Sequence, residues 1–153
     1  MNNELELKKH LYSECVRYVE SKIEQIEKAV CDLQESANRE TRSSMGDKYE
    51  TTRASIHLEI EKYSQQLNEF TGLKKILFQI NADKIYNEVQ PGGVVFTSEG
   101  NYFIAINAGT FEFGDKQFMT ISLASPLGKE LHKRKAGDMF SFRNKNFEIA
   151  GVS

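Results

Sequence analysis

The first half of the chain repeats apolar side chains at alternating spacings of three and four residues. On an α-helix this spacing forms one apolar stripe, and over several turns it is the heptad pattern of a coiled coil. The stripe stops at residue 37 and resumes at residue 56, so the pattern predicts two helices. The first stripe comprises Val16, Val19, Ile23, Ile26, Val30, Leu33 and Ala37, extended upstream by Leu5 and Tyr12. The second comprises Ile56, Ile60, Tyr63, Leu67, Phe70 and Leu77, with the polar Lys74 interrupting it.

A single short break separates the two stripes. Residues 1–90 contain no proline and only two glycines, Gly46 and Gly72, and the sequence Ser-Ser-Met-Gly at 43–46 is the one turn signal in the first 70 residues. A short connection cannot join parallel helices, so the pattern predicts an antiparallel hairpin. Arms of ~30 residues would each be roughly 45 Å long. One uninterrupted helix that dimerises in parallel is the alternative.

The second half has the punctuation of strands and turns. Both prolines and the other eight glycines lie in residues 91–153. Ser125 and Pro126 suit the N-cap and first position of a short helix that we expect to end near Arg134. Alternating apolar segments predict five strands, at residues 94–97, 102–106, 118–123, 139–143 and 146–150. We therefore predict a coiled-coil hairpin in residues 1–80, with its tip near residues 41–50, and a small α+β domain in residues 81–153.

Composition removes several classes of protein. The chain has 153 residues, of which 39% are hydrophobic and 27% charged, as in ordinary globular proteins. No apolar run approaches the ~18 residues that a membrane span needs, and the acidic amino end lacks the pattern of a signal peptide. We expect a cytoplasmic protein that does not bind membranes. The net charge of −2 provides no global basic field for free nucleic acid.

The cysteines and histidines predict no disulfide and no zinc site. Cys15 and Cys31 lie in one predicted helix, and at ~1.5 Å per residue they would be roughly 24 Å apart. The three histidines are scattered and form no metal-binding spacing with the cysteines.

The predicted tip carries two carboxylates on one helical face. Asp47 and Glu50 are three residues apart, which places them one turn apart on a helix. They match a helix cap, because acidic groups stabilise a helix N-terminus. Local sequence favours this cap. The pair alone could not hold Mg²⁺ well, but it could complete a site supplied by a partner, since Mg²⁺ takes one or two protein carboxylates beside water and phosphate oxygens. Basic residues near the tip could face RNA phosphates or the partner: Arg39, Arg42, Lys48 and Arg53.

Two segments resemble the Gre transcript-cleavage factors. Residues 121–131 read Ile-Ser-Leu-Ala-Ser-Pro-Leu-Gly-Lys-Glu-Leu and residues 133–138 read Lys-Arg-Lys-Ala-Gly-Asp, similar to the carboxy-terminal signature of that family. Glu130 stands where the family usually has alanine. The tip sequence Gly46-Asp47-Lys48-Tyr49-Glu50 is similar to the family's Gly-Asp-x-x-Glu. After Glu50 the family usually continues Asn-Ala-Glu-Tyr, whereas this chain has Thr-Thr-Arg-Ala at 51–54.

The resemblance implies a transcription elongation factor with an FKBP-like carboxy-terminal domain. Members of the family bind bacterial RNA polymerase and insert the coiled coil into its secondary channel, where the tip carboxylates help to hold a Mg²⁺ ion and the attacking water. The polymerase then cuts its own backtracked transcript. By residue match, Asp47 and Glu50 would be those carboxylates, sharing a Mg²⁺ that the protein does not bind stably alone. Residues of the signature would contact polymerase, and we select Ser125, Pro126 and Lys129.

On this hypothesis the protein is an accessory factor and not an enzyme, with no small-molecule substrate, and it meets nascent RNA only inside the polymerase complex. The departure after Glu50 leaves open a regulator or inhibitor that occupies the same channel without stimulating cleavage. A coiled-coil adaptor unrelated to polymerase is a further alternative. A prolyl isomerase is disfavoured, because fold does not carry function and the chain has no tryptophan to floor a proline pocket.

Overall fold

The computed structural model describes the backbone of residues 2–42 and 47–153 and the side chains of residues 3–39 and 50–153. Two long helices come first, α1 at Asn2–Arg42 and α2 at Asp47–Phe78. Both helices contain only helix-compatible residues apart from Gly72. Glu4 in the first turn of α1 and Lys75 in the last turn of α2 stabilise these helices through favourable interaction with the helix dipole. Nowhere in the described residues is a helix both long and apolar enough to cross a membrane.

The two helices pair in antiparallel fashion within residues Val19–Leu73, which form one compact unit. One surface groove is lined by residues 34–38 of α1 and 53–60 of α2, and a second by residues 22–29 and 63–70. Residue numbers fall along α1 as they rise along α2, as an antiparallel hairpin requires. The predicted helical hairpin is confirmed. The predicted connection at 43–46 lies outside the described residues.

The predicted stripes lie along the contact between the helices. From Val19 to Ala37 and from Ile56 to Phe70, every stripe position is buried or half-buried, while most intervening positions are exposed. Val19 and Ile26 are buried, and the other stripe positions in these two ranges are half-buried. Each helix has a single neighbour here, so one side of the stripe stays in contact with water.

The rest of the chain forms a mixed sheet with one short helix. Its strands are β1 Val94–Thr97, β2 Gly100–Ile104, β3 Gly109–Phe113, β4 Lys116–Ile121, β5 Met139–Phe142 and β6 Lys145–Val152, with α3 at Pro126–Leu131 between β4 and β5. The sheet order is β3-β4-β2-β1-β6-β5. The β2–β4 pair is parallel, and the other pairs are antiparallel. This arrangement confirms a small α+β domain; the FKBP-like fold stays a prediction.

The structure has one strand more than the sequence predicted. β3 was missed because it is a short edge strand between two glycines with positive φ, Gly109 at 96° and Gly114 at 65°. A second difference is the turn between β5 and β6. Its two-residue loop is Arg143-Asn144, not Asn144-Lys145, because Phe142 pairs with Lys145 and both loop residues have positive φ, as in a type I′ hairpin.

The sheet packs around a fully buried core. Val89, Ile104 and Leu131 are completely inaccessible, and Leu127 of α3 and Phe140 of β5 pack beside them. Leu131 thus packs α3 against the sheet. Burying a leucine side chain stabilises the folded protein by roughly 2 kcal/mol relative to leaving it exposed.

The first turns of α1 belong to the same compact unit as the sheet, which consists of Met1–Tyr18 and Lys74–Ser153. In this part of α1 the buried stripe runs through Leu7, Leu11 and Cys15, whereas the predicted Leu5 and Tyr12 are half-buried. The His10 ring nitrogen lies 3.1 Å from the Glu112 carbonyl oxygen of β3. The domain boundary between residues 80 and 81 was placed where the sequence pattern changes from helix to strand, and it stays a prediction.

Candidate functional site

The predicted tip carboxylates lie at the start of α2. The helix begins at Asp47, so its backbone places Asp47 and Glu50 three residues apart in the first turn. Glu50 is exposed. The side chain of Asp47 lies outside the described residues, as do those of Arg42 and Lys48. The candidate site is therefore defined by the backbone at the start of α2 and by the side chain of Glu50.

Beside Glu50 the surface is polar and partly basic. Arg53 is exposed and takes part in an interaction within the protein. It also lines the groove between the helices together with Gln34, Asn38 and His57. Arg53 follows Glu50 by three residues on α2, and a cation at that position is suited to contacts with phosphate oxygens.

Local structure explains why particular residue types occur at several positions of the segment 121–138. Ser125 caps α3: its hydroxyl accepts a hydrogen bond from the Gly128 N–H at 3.1 Å and donates one to the Ser122 carbonyl at 2.7 Å. Pro126 takes the first position of the helix, where a missing N–H costs nothing. The predicted cap at Ser125 and Pro126 is confirmed.

Gly128 stands where the chain passes very close to itself. A Cβ atom placed there would lie 2.0 Å from the Ser122 carbonyl oxygen and 2.9 Å from the Leu123 Cα. These are backbone atoms and cannot rotate away, so any residue larger than glycine would push α3 off the preceding turn. Packing thus requires a glycine at position 128.

The end of the segment forms a turn that leads into β5. Gly137 has a φ of 93°, which favours glycine, and the Asp138 carboxylate accepts a hydrogen bond from the Lys135 N–H at 2.8 Å. Lys133 has a φ of 67°, which is uncommon for a lysine, and its N–H donates to the Val89 carbonyl. Lys129, the third predicted polymerase contact, is exposed on α3.

A buried lysine was not anticipated from the sequence. Lys8 is completely inaccessible, and its Nζ donates hydrogen bonds to the carbonyl oxygens of Lys84 and Ser153, the latter at 3.3 Å. It also lies 4.5 Å from the centre of the Tyr86 ring. Burial lowers the pKa of Lys8 to about 8, against an opposing effect of Glu4. The available signal was spacing, since Leu5, Lys8, Tyr12 and Cys15 continue the alternation of three and four.

Two other groups near the base of α1 have shifted pKa values. Burial raises the pKa of the Cys15 thiol to about 12, with a smaller effect from Glu14. Burial also raises the pKa of Tyr12, whose hydroxyl donates to the Leu77 carbonyl at 2.8 Å. Both groups stay protonated at neutral pH and serve packing. In the part of the chain that the structure describes, no three His, Cys, Asp or Glu side chains are grouped to hold a metal ion.

Fold and site together define a class of protein: a long antiparallel helical hairpin that carries acidic residues at the start of its second helix, followed by a small α+β unit. Among solved structures, the chain is similar to one described as the transcription factor Gfh1, with 19% sequence identity, 92% of each chain covered and a TM-score of 0.34. At so low a TM-score this likeness carries no argument about fold or function. No protein-family model and no curated protein matches the sequence.

Proposed function

We propose that the protein is a Gre-like transcription factor that binds RNA polymerase through its secondary channel and stimulates cleavage of backtracked RNA. The proposal is supported by the resemblance of residues 121–138 and 46–50 to the two motifs of that family. It is also supported by the positions of those motifs, one at the start of the second hairpin helix and the other around α3.

The start of α2 at Asp47 is the observation that carries the proposal. It puts the backbone positions of Asp47 and Glu50 within one helical turn, and the Glu50 side chain is exposed. Acidic side chains at these positions also suit the helix N-terminus, since a capping box pairs the cap residue with a carboxylate three residues on. The two roles are compatible, because the Glu50 side chain is exposed and open to a partner.

The donor set fits Mg²⁺ shared with the polymerase. Two carboxylates one turn apart match the one or two that Mg²⁺ accepts from a protein, with water and phosphate oxygens completing the shell. When bound there, the ion would activate water and stabilise charge on the scissile phosphate. Asp47 and Glu50 would orient it, and neither would hold it stably in the free protein. Bond cleavage itself belongs to the polymerase, so this protein is an accessory factor and not an enzyme.

Contacts to the polymerase would involve both units of the protein. Arg42, Lys48 and Arg53 are positioned in sequence to face polymerase or nascent RNA within the complex. In the α+β unit, Pro126 and Lys129 are exposed on α3, whereas Ser125 is occupied in capping that helix. We therefore assign Ser125 a positioning role and the direct contact to Pro126 and Lys129. A polymerase partner would place the protein in the cytoplasm.

A second candidate is a regulator that occupies the channel without stimulating cleavage. Thr51, Thr52, Arg53 and Ala54 follow Glu50 where the resembling family usually has Asn-Ala-Glu-Tyr. The change replaces one acidic residue by a basic one, and added positive charge would weaken cation binding nearby.

The test is a transcript-cleavage assay on stalled elongation complexes with wild type, Asp47→Asn and Glu50→Gln. Glu59→Gln is the matched control, because Glu59 is an exposed carboxylate on the same helix, more than two turns further along. We expect both tip variants to lose stimulation while binding polymerase as tightly as wild type, and the control to retain full stimulation.

Each other outcome favours a different candidate. Full stimulation by both tip variants would refute the role of the carboxylates. Wild type that binds polymerase and blocks cleavage would identify the non-stimulating regulator. Wild type that fails to bind polymerase would leave the coiled-coil adaptor.

A further inference from the structure

Strand β5 is an edge of the sheet with outward-facing main-chain groups. The sheet order ends in β6-β5, so β5 has β6 as its single strand neighbour. Phe142 and Lys145 close a two-residue loop and form a hydrogen-bonded pair. Because such pairs alternate along an antiparallel ladder, the main-chain N–H and C=O groups of Met139 and Ser141 point away from β6.

Arg134 lies along this edge and stacks on the ring of Phe140. Phe140 stacks on Phe147 of β6, with ring centres 5.0 Å apart and planes 13° apart. The Arg134 guanidinium carbon lies 4.5 Å from the Phe140 ring centre. Since Phe147 covers one face of that ring, Arg134 must cover the other, which is turned away from β6. The guanidinium therefore occupies the side on which a further strand would lie.

A second arginine lies beside the next aromatic ring on this face, although Phe142 meets Phe147 edge-on, with ring centres 6.3 Å apart and planes 72° apart. The Arg143 guanidinium carbon lies 5.1 Å from the centre of the Phe142 ring. Phe140 and Phe142 are two residues apart on β5, so they share a face at a spacing of roughly 6.6 Å. Alternate residues of an added strand would have the same spacing, so one of them would lie beside Arg134 and the next beside the end of the strand, where Arg143 begins the loop.

The chain around these arginines is predominantly basic, and the neighbouring acids from other segments are Glu88, opposite Lys135, and Glu148, opposite Met139. Residues 129–145 contain six Lys and Arg against Glu130 and Asp138. Both acids are engaged, Glu130 with Arg134 at 3.5 Å and Asp138 with the Lys135 main-chain N–H. Arg134 also donates through Nε to the Glu130 carbonyl, which fixes its plane and leaves further N–H donors. Among the other cations, Lys133, Lys135, Arg143 and Lys145 are exposed.

We propose that the β5 edge binds an extended acidic segment of a partner protein as an added strand. The main chain of the segment pairs with Met139 and Ser141, and carboxylates at alternate positions pair with Arg134 and Arg143. The surface lies on a different element from the α3 contacts proposed above, and the inference does not depend on the proposed function.

A protein segment suits this edge better than a nucleic acid. Outward main-chain groups on a strand pair with another peptide backbone, which a nucleic acid lacks. The Phe140 ring has both faces covered, by Phe147 and by Arg134, so it offers no stacking platform for a base. The whole chain carries a net charge of −2, so no long-range field attracts polyanions, whereas a local cationic row can recognise a short acidic segment.

The test uses the full chain and a synthetic peptide of alternating glutamate and valine, with binding followed by fluorescence anisotropy. Ser141→Pro removes the outward N–H and is tolerated on an edge strand, while Ser141→Ala keeps that N–H and is its matched control. We expect Ser141→Pro to weaken binding about tenfold and Ser141→Ala to leave it unchanged. Arg143→Gln should weaken binding about tenfold as well, and it serves if the proline variant fails to fold.

A single-stranded oligonucleotide of equal charge is the comparison ligand. Tighter binding of the oligonucleotide than of the peptide would overturn the proposal in favour of a polyanion surface. Equal peptide binding by wild type, Ser141→Pro and Arg143→Gln would overturn it too. Absence of peptide binding together with aggregation of Arg143→Gln would instead show that the cations only protect the edge from self-association.

Discussion

The hairpin unit and the sheet unit bury their apolar side chains to very different extents. In residues Val19–Leu73 the stripe is mostly half-buried, because each helix packs on one neighbour alone. In the unit of Met1–Tyr18 and Lys74–Ser153, residues such as Phe103, Leu131 and Val89 are completely inaccessible. Stabilisation by apolar burial is proportional to the area removed from water, so the sheet unit holds most of it.

This difference teaches where each unit tolerates change. Positions in the hairpin depend on helix propensity and a repeated spacing, so a single substitution disturbs little around it. Positions in the sheet unit depend on contacts that are particular to one place, such as the approach of Gly128 to Ser122.

The largest effect is expected from replacing the two helical glycines by alanine. At Gly128 the new Cβ would meet backbone atoms at 2.0 and 2.9 Å, so Gly128→Ala should destabilise the protein by about 3 kcal/mol or more. At Gly72 a Cβ would meet no atom within 4 Å, and Gly72→Ala should stabilise α2 by up to about 1 kcal/mol. Urea denaturation of both variants measures the two effects. Equal effects of the same sign would contradict the contrast.

A smaller effect is expected from the pH dependence of stability at Lys8. Its pKa is about 8 in the folded protein and 10.5 in the unfolded chain, so the unfolded chain holds the extra proton between these values. Stability from this group is therefore lowest below pH 8 and rises toward pH 10.5, by up to about 3 kcal/mol. The difference in free energy of unfolding between wild type and Lys8→Met should show this rise.

That comparison cancels the other groups that titrate in the same range. The pKa values of Cys15, Tyr12 and Tyr102 are raised by burial, so each loses stabilisation as pH rises above its unfolded value. All three are present in both wild type and Lys8→Met. A difference that stays flat from pH 7 to pH 10 would show that the Lys8 ammonium is not buried in solution.

The smallest expected effect is a difference in thiol reactivity between the two cysteines, one of which lies in each unit. Cys31 is exposed in the hairpin, whereas Cys15 is buried with a pKa of about 12, so at pH 8 only about one Cys15 thiol in ten thousand is ionised. A thiol reagent should modify Cys31 quickly and Cys15 only after denaturation. The variant Cys31→Ser should show no fast reaction; a fast reaction there would mean that the base of α1 opens readily.

Much of the fold was predictable because local patterns specify it. The stripes from Val19 to Ala37 and from Ile56 to Phe70 and the cap at Ser125 depend on spacing and residue type alone. The strand β3 was missed because it is a short edge strand that begins at Gly109 and ends before Gly114, and these turn residues hide its pattern. The tip carboxylates were proposed from sequence, and their function stays a prediction.

By itself the sequence determined the two helices, their antiparallel pairing and the pairing of acidic residues at the start of α2. Each follows from periods and punctuation that neighbouring residues encode. Only the tertiary structure decided that Lys8 is buried, that a Cβ at Gly128 would meet Ser122, and that β5 is an edge of the sheet beside Arg134. Lys8 meets residues distant in the chain, Gly128 lies where α3 folds back on the preceding turn, and the edge depends on sheet order; packing in three dimensions decides all three.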